Sequence, residues 1–492
     1  MGDYGSTSEE DWIKIEMNTK GNLIHDRIYK PGVVHEVVSP VTGKPIVRVS
    51  LATKEEITGE ILRLSKASKS PSHHEVLEFL HRLKDQILLH QDLLLEKTIL
   101  ETGFIIKDSK EIVNSAIEYL DDFEAYATEG PPADRVIRHS YSGNSYRNIR
   151  ITHRPFRCIA AVVPQNASLS LCIIIIASAL YSGSKVILRP SLQCASTGAI
   201  LSEIVRKSHP PESCIAIINS LANEFLEACY ASDDIDLIHY IGSNRYAESV
   251  LTRSFNTGKV CLLDGQGNGM LYIDDTFPVE DAIPIITSGA TRYNGETCTS
   301  VNGVLIKDTV YDDLKDNLAE SFGNLRVGNP MDLDSQIGPL FSEKQAIILQ
   351  KTFLDRPDAT IICGGDIKGA YFTPALIDGV NIHDPVVQEG FFGPALWIKP
   401  VREENLLDWL KVNRFPLSNT ILSNNSDLIR TFAINSRAAR ICVNEDPSVE
   451  SMFEPWGGYP PSGSNPVSVW TEKYQQTFQL DGKLKKIITI NR

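Results

Sequence analysis

The chain has 492 residues, is 42% hydrophobic and 22% charged, and carries a formal net charge of −14. That length asks for two large lobes, with room for a small appendage. The acidic balance excludes a basic nucleic-acid-binding stripe, and the longest apolar run, residues 169–180, is too short to span a bilayer.

In chain order, the polar and acidic first dozen residues read as disordered and are no signal peptide. Residues 35–49 read as two short strands around a Pro/Gly turn. Helical periodicity follows, with one helix expected over 76–95 and another over 107–125. Gly130, Pro131 and Pro132 break the pattern, and 136–156 alternates as a strand. Strands are then expected at 158–163, 185–188, 215–218 and 237–240, with helices at 169–182, 197–208 and 245–255. That alternation predicts a parallel sheet covered by helices, a Rossmann-like arrangement. The pattern repeats after Gly258, with strand 270–273, a helix over 279–293 and strand 304–306. The tail, 485–491, reads as one edge strand.

Nine cysteines are scattered without a C-x-x-C pair, so neither a metal site nor a redox motif is indicated, and a reducing, cytoplasmic setting is expected. One of them stands apart. Residues 294–300 read Asn-Gly-Glu-Thr-Cys-Thr-Ser, which displays Cys298 between small and polar residues shortly after a glycine. A thiol is a strong nucleophile as thiolate, so Cys298 is the candidate nucleophile.

Further motifs run along nearly the whole chain in a fixed order: Val163-Pro-Gln-Asn166, Leu188-Arg-Pro-Ser191, Tyr240-Ile-Gly-Ser243, the Cys298 segment, Phe391-Phe-Gly-Pro394, and Trp456-Gly-Gly-Tyr459 followed by Ser462-Gly463. Taken together they resemble the aldehyde dehydrogenase superfamily, in which the matching segments are Pro-Trp-Asn, Lys-Pro-Ser, Phe-Thr-Gly-Ser, the nucleophile segment, Ile-Phe-Gly-Pro and Pro-Phe-Gly-Gly…Ser-Gly. The resemblance implies an α/β fold of three parts. A Rossmann-like NAD(P)-binding domain would span 1–129 and 157–257, an α/β catalytic domain 258–455, and a small β oligomerisation arm 130–156 and 474–492. It also implies a homodimer or homotetramer, with no nucleic-acid partner.

The same resemblance assigns roles. Cys298 would attack an aldehyde, and Asn166 would hold the oxyanion with its side-chain amide. NAD or NADP would lie against Pro164, Arg189, Pro190, Ser191, the backbone N–H groups of Gly242 and Ser243, and Phe392. Three cofactor contacts depart from the family: Arg189 replaces a Lys, Leu192 a Glu or small residue, and Gly390 a Glu. The arginine's fork suits a 2′-phosphate. The family's Glu-Leu-Gly-Gly segment, whose Glu activates water, reads Leu262-Leu-Asp-Gly-Gln-Gly-Asn268 here. Matching glycines puts Leu263 in the Glu position; matching the distance to Cys298 puts Asp264 there, and Asp264 also reads as a turn residue beside Gly265.

Three functions follow from these alternatives: an aldehyde dehydrogenase that forms an acid, a dehydrogenase that forms or reduces an acyl-thioester of the coenzyme A kind, or a non-catalytic relative acting as scaffold. The substrate tunnel is expected near 168–172, Tyr293 and 453–456, and Arg292 with Tyr293 reads either as a carboxylate contact or as a helix end.

Overall fold

A computed structural model describes residues 20–481 except 25, 31, 67–69, 129–134, 142–144, 355, 357, 358 and 466. The N-terminal dozen, the break at 130–132 and the tail strand at 485–491 lie outside the described residues.

Two seven-stranded sheets organise the chain. In the first, five parallel strands run in the spatial order Ile215–Ile217, Lys185–Arg189, Cys158–Val162, Leu237–Ile241, Val260–Asp264. In chain order that is third, second, first, fourth, fifth, the doubly wound order. The central strands are buried along their length, as continuous Val/Ile/Ala runs require when helices cover both faces. Helix Ser168–Tyr181 is buried through almost all of its turns, which its run of four isoleucines makes favourable. Asn22–Ile24 and Arg27–Tyr29 extend the far edge antiparallel.

The second sheet runs Thr360–Cys363, Ala375–Asp378, Ala395–Val401, Val301–Lys307, Gly269–Ile273, Ser418–Leu422, Arg440–Val443, with only the first pair antiparallel. A third sheet joins Arg135–Tyr141, Ser145–Pro155 and Gln475–Asp481, so segments far apart in sequence meet there.

The link between the two large sheets positions everything that follows. Val260–Asp264 ends at the carboxyl edge of the first sheet, and five residues later Gly269 opens the second sheet at its amino edge. Cys298 precedes Val301–Lys307 at that same amino edge. The two edges therefore face one cleft.

Three local expectations change. The helix expected over 76–95 is two, His73–Leu89 and Gln91–Thr102, broken where His90 leaves helical geometry (φ −110°, ψ 16°). Apolar spacing persists across the break, so periodicity alone cannot show it. The strand expected over 136–156 is a hairpin. Strand Val260–Asp264 and helix Ala222–Ala231 were not anticipated; the strand is only five residues long and ends in a polar Asp-Gly-Gln-Gly-Asn run that reads as loop.

Candidate active site

The carboxyl edge of the first sheet reverses direction between Cys158–Val162 and Leu237–Ile241, and such a switch point opens a crevice that takes ligands. The expected cofactor residues surround it. Pro164 and Asn166 follow the first strand, Arg189, Pro190 and Ser191 end the second, and Gly242 and Ser243 follow the fourth. Asn166 is half-buried, and its amide bonds to nothing among the described residues. Ser191 caps the short turn Leu192–Cys194, accepting from the Gln193 N–H at 3.3 Å. Pro190 is buried beside Gly198, where an added Cβ would lie 3.4 Å away.

Arg189 donates Nε to the Ser220 carbonyl at 3.1 Å and has no carboxylate partner among the described residues. Burial pushes its guanidinium down to about 10, the mark of a desolvated cation without a counter-charge. The turn at Gly242 differs from expectation. Its N–H donates to the Asp264 carbonyl at 2.9 Å, because the ladder with Val260–Asp264 continues one residue past the strand. A phosphate at this turn is left with the amides of Ser243 and Asn244, at the start of helix Asn244–Asn256.

Across the cleft, Tyr293, Asn294 and Gly295 all take left-handed backbone geometry (φ 52°, 55° and 65°) immediately before the nucleophile segment. For the two non-glycine residues this costs about 1–3 kcal/mol each, so the surroundings must impose it. They do. Asn294 accepts from the Gly338 N–H at 3.0 Å and donates to the Pro339 and Gly103 carbonyls, while the Tyr293 N–H donates to Asp108 at 2.8 Å. Tyr293 Oη donates to Glu111 at 2.9 Å, and Arg292 pairs with both Asp108 and Glu111. Arg292 and Tyr293 thus clamp the loop to helix Ile106–Thr128, and the carboxylate-contact alternative finds no free guanidinium here.

Two glycines let the loop close. A Cβ on Gly267 would reach 1.8 Å from the Cys298 carbonyl oxygen, and one on Gly295 would reach 2.2 Å from that of Gly393. Cys298 itself is half-buried. Burial, then the negative charges of Glu450 and Asp264, push its thiol well above the ordinary range; the N–H groups of Cys298 and Thr299 oppose that shift. Those two amides are a ready pair of donors for negative charge beside the sulfur. Phe392 is half-buried in the turn before Ala395–Val401, whereas Phe391 packs inward, 4.8 Å from the Phe353 ring. Gly390 has φ 73°, and an added Cβ would meet Asn302 Oδ1 at 2.7 Å. The backbone here has no room for the side chain that the family carries.

Neither residue expected at the general-base position offers a free carboxylate. Leu263 is buried in an apolar cluster with Ile238, Tyr240 and Val250. Asp264 is buried on the opposite face of the strand, accepting from His239 Nε2 at 2.7 Å and from Asn465 Nδ2 at 2.9 and 3.0 Å. His239 Nδ1 bonds in turn with Tyr474 Oη at 2.9 Å, just before strand Gln475–Asp481. Asp264 therefore binds the first sheet to the C-terminal segment. The acid that sequence reasoning missed is Glu450, whose charged form the nearby Thr299 hydroxyl favours. Its only signal was a run of acids, Glu445, Asp446, Glu450 and Glu454, and acids in a loop ordinarily face water.

Comparison with known proteins places this architecture. A 3-sulfolactaldehyde dehydrogenase of Priestia aryabhattai is 24% identical over 437 residues, covering 87% of this chain and 90% of its own length. Aminoaldehyde dehydrogenase 2 of Solanum lycopersicum is 24% identical, covering 87% of each. An NAD-dependent aldehyde dehydrogenase from Sinorhizobium meliloti superposes with a TM-score of 0.90 at 20% identity, over 98% of this chain and 97% of that one. Residues 30–480 match the model of the aldehyde dehydrogenase family, and the chain belongs to that family.

Proposed function

We propose that the protein oxidises an aldehyde to a carboxylic acid with NAD or NADP, through a covalent bond to Cys298. The observation that carries this is Cys298 on a strained loop, beside two backbone donors, facing a doubly wound switch point. Asn166 stands ready as a further oxyanion donor, with its amide unused. In this reading the thiol adds to the aldehyde carbon, and the oxyanion is held by Asn166 and the loop amides. Loss of hydride leaves a Cys298 thioester, and water releases the acid. The bound dinucleotide supplies the hydride acceptor. Ser243 and Asn244 would take its pyrophosphate, Phe392 would flank the nicotinamide, and the unpaired cation of Arg189 suits a 2′-phosphate, which favours NADP.

A second reading, transfer of the acyl group to an external thiol such as coenzyme A, gains support from Leu263, because an apolar residue there prolongs the thioester. An assay of purified protein with NAD and NADP, a panel of aldehydes, and coenzyme A present or absent separates the two. Reduced cofactor without added thiol supports acid formation; dependence on thiol supports transfer. The three-stranded sheet exposes Val136 and Ile137, at 61% and 39% of their surface, which supports a homo-oligomer. No helix among the described residues is long and apolar enough to cross a membrane.

A further inference from the structure

The loop 444–456 leaves strand Arg440–Val443 and passes beside the nucleophile. It is held at both ends. Arg440 donates Nη1 to the Pro447 carbonyl at 2.8 Å and Nη2 to that of Val449 at 2.9 Å, while its Nε pairs with Glu454 at 3.2 Å. At the other end Phe453 stacks on Tyr119 at 5.0 Å and tilts against Tyr126 at 4.7 Å. Glu450 lies between these anchors. Its carboxylate lies close enough to the Thr299 hydroxyl, next to Cys298, for that group to favour its charged form. Its Oε1 is shut off from solvent and has no hydrogen-bond donor. The cation facing it, Arg440 Nη1, stands 3.8 Å away, beyond hydrogen-bond reach, and is already committed to Pro447. A carboxylate oxygen shut off from water without a donor is costly and needs a reason.

We infer that Glu450 is the proton acceptor for the water that releases the acyl group from Cys298. This rests on the thioester chemistry proposed above. Two further observations favour Glu450 over Asp264. Asp264 spends both oxygens on His239 and Asn465, whereas Glu450 keeps Oε1 open. The negative charge of Glu450 also acts on the Cys298 thiol more strongly than that of Asp264. Burial raises the Glu450 carboxyl above its ordinary value, which makes it a stronger base than an exposed glutamate. The step balances without an oxidant. The water oxygen bonds to the thioester carbon as one water proton passes to Oε1. The carbon–sulfur bond breaks with its electron pair going to Sγ, the acid departs, and the proton on Glu450 returns to the thiolate.

Acetylation by p-nitrophenyl acetate tests this without aldehyde or cofactor, because the activated ester acylates a nucleophilic thiol directly. Glu450→Gln keeps the shape of the side chain but cannot take a proton. It should release one equivalent of p-nitrophenolate no more slowly than the wild type, then turn over about 100-fold more slowly. Mass spectrometry should find one acetyl group on Cys298, and hydroxylamine, which attacks thioesters unaided, should restore turnover. Glu450→Asp should fall between the two. A variant that turns over at the wild-type rate overturns the inference. So does one that loses acylation along with deacylation, since that is a structural defect. A wild-type protein that is never acetylated on Cys298 fails earlier and overturns the thioester chemistry itself.

Discussion

Asp264, at the end of strand Val260–Asp264, receives hydrogen bonds from His239 and Asn465, whereas Glu450, on the loop 444–456, leaves Oε1 without a donor. Asp264 is buried and Glu450 half-buried, and the charge of both reaches Cys298. They differ in what surrounds them. Asp264 sits within regular structure, and its partners come from the neighbouring strand and from the C-terminal segment. Glu450 sits on irregular chain held by contacts to its neighbours rather than to its own Oε1. A carboxylate whose lone pairs are filled by fixed donors serves the fold; one held near a nucleophile with an oxygen bare is available for proton transfer. Position along the sequence favoured Asp264 for the chemistry, and hydrogen bonding favours Glu450.

Substitution at both sites should separate stability from chemistry. Asp264→Leu leaves His239 and Asn465 buried without their acceptor and should cost about 3–5 kcal/mol in denaturant unfolding. Glu450→Gln should cost less than about 1 kcal/mol in the same measurement. Equal losses would erase the distinction. Asn166→Ala should lower kcat about 100- to 1,000-fold, equivalent to about 3–4 kcal/mol of barrier. It should leave the unfolding midpoint unchanged, because the Asn166 amide holds nothing in the folded protein. A loss of stability matching the loss of rate would make Asn166 a turn residue.

Smaller effects sharpen the electrostatics. The Cys298 thiol is pushed up, so its thiolate fraction is small at neutral pH and grows as pH rises. Alkylation of Cys298 by iodoacetamide should therefore keep accelerating past pH 9 without a plateau. Glu450→Gln removes a negative neighbour and should speed that alkylation severalfold at pH 8 while slowing thioester hydrolysis. A structural defect would not produce opposite signs. Arg189→Gln should raise the KM for NADP about 10-fold, roughly 1.4 kcal/mol, and leave that for NAD within about twofold. Equal changes for both cofactors would remove the 2′-phosphate role.

Much of the fold was legible because each motif lies at a strand end. Val163-Pro-Gln-Asn166, Arg189-Pro-Ser191 and Gly242-Ser243 carry turn and cap residues directly after apolar strands, so their order in sequence fixes the order of strand ends around one crevice. Cys298 was legible for the same reason, as a polar interruption before Val301–Lys307. Hydrogen bonds between distant segments were not. The Gly242 N–H looks free in sequence and is spent on Asp264, 22 residues away, because a β-ladder runs one residue past the strand. Arg292 reads as a substrate-carboxylate contact or a helix end and is satisfied by Asp108 and Glu111 on a helix some 180 residues earlier. Glu450 lies 152 residues beyond Cys298 in a loop without periodicity, and only the folded chain brings it to Thr299.

The most direct measurement is production of reduced cofactor from NAD and from NADP, with a panel of aldehydes, by the wild-type protein and by Cys298→Ala. The account predicts turnover by the wild type without added thiol and none by the variant, with the acyl group found on Cys298 when the reaction is quenched early. Turnover that survives in Cys298→Ala, or a wild type silent with every aldehyde and both cofactors, would contradict it.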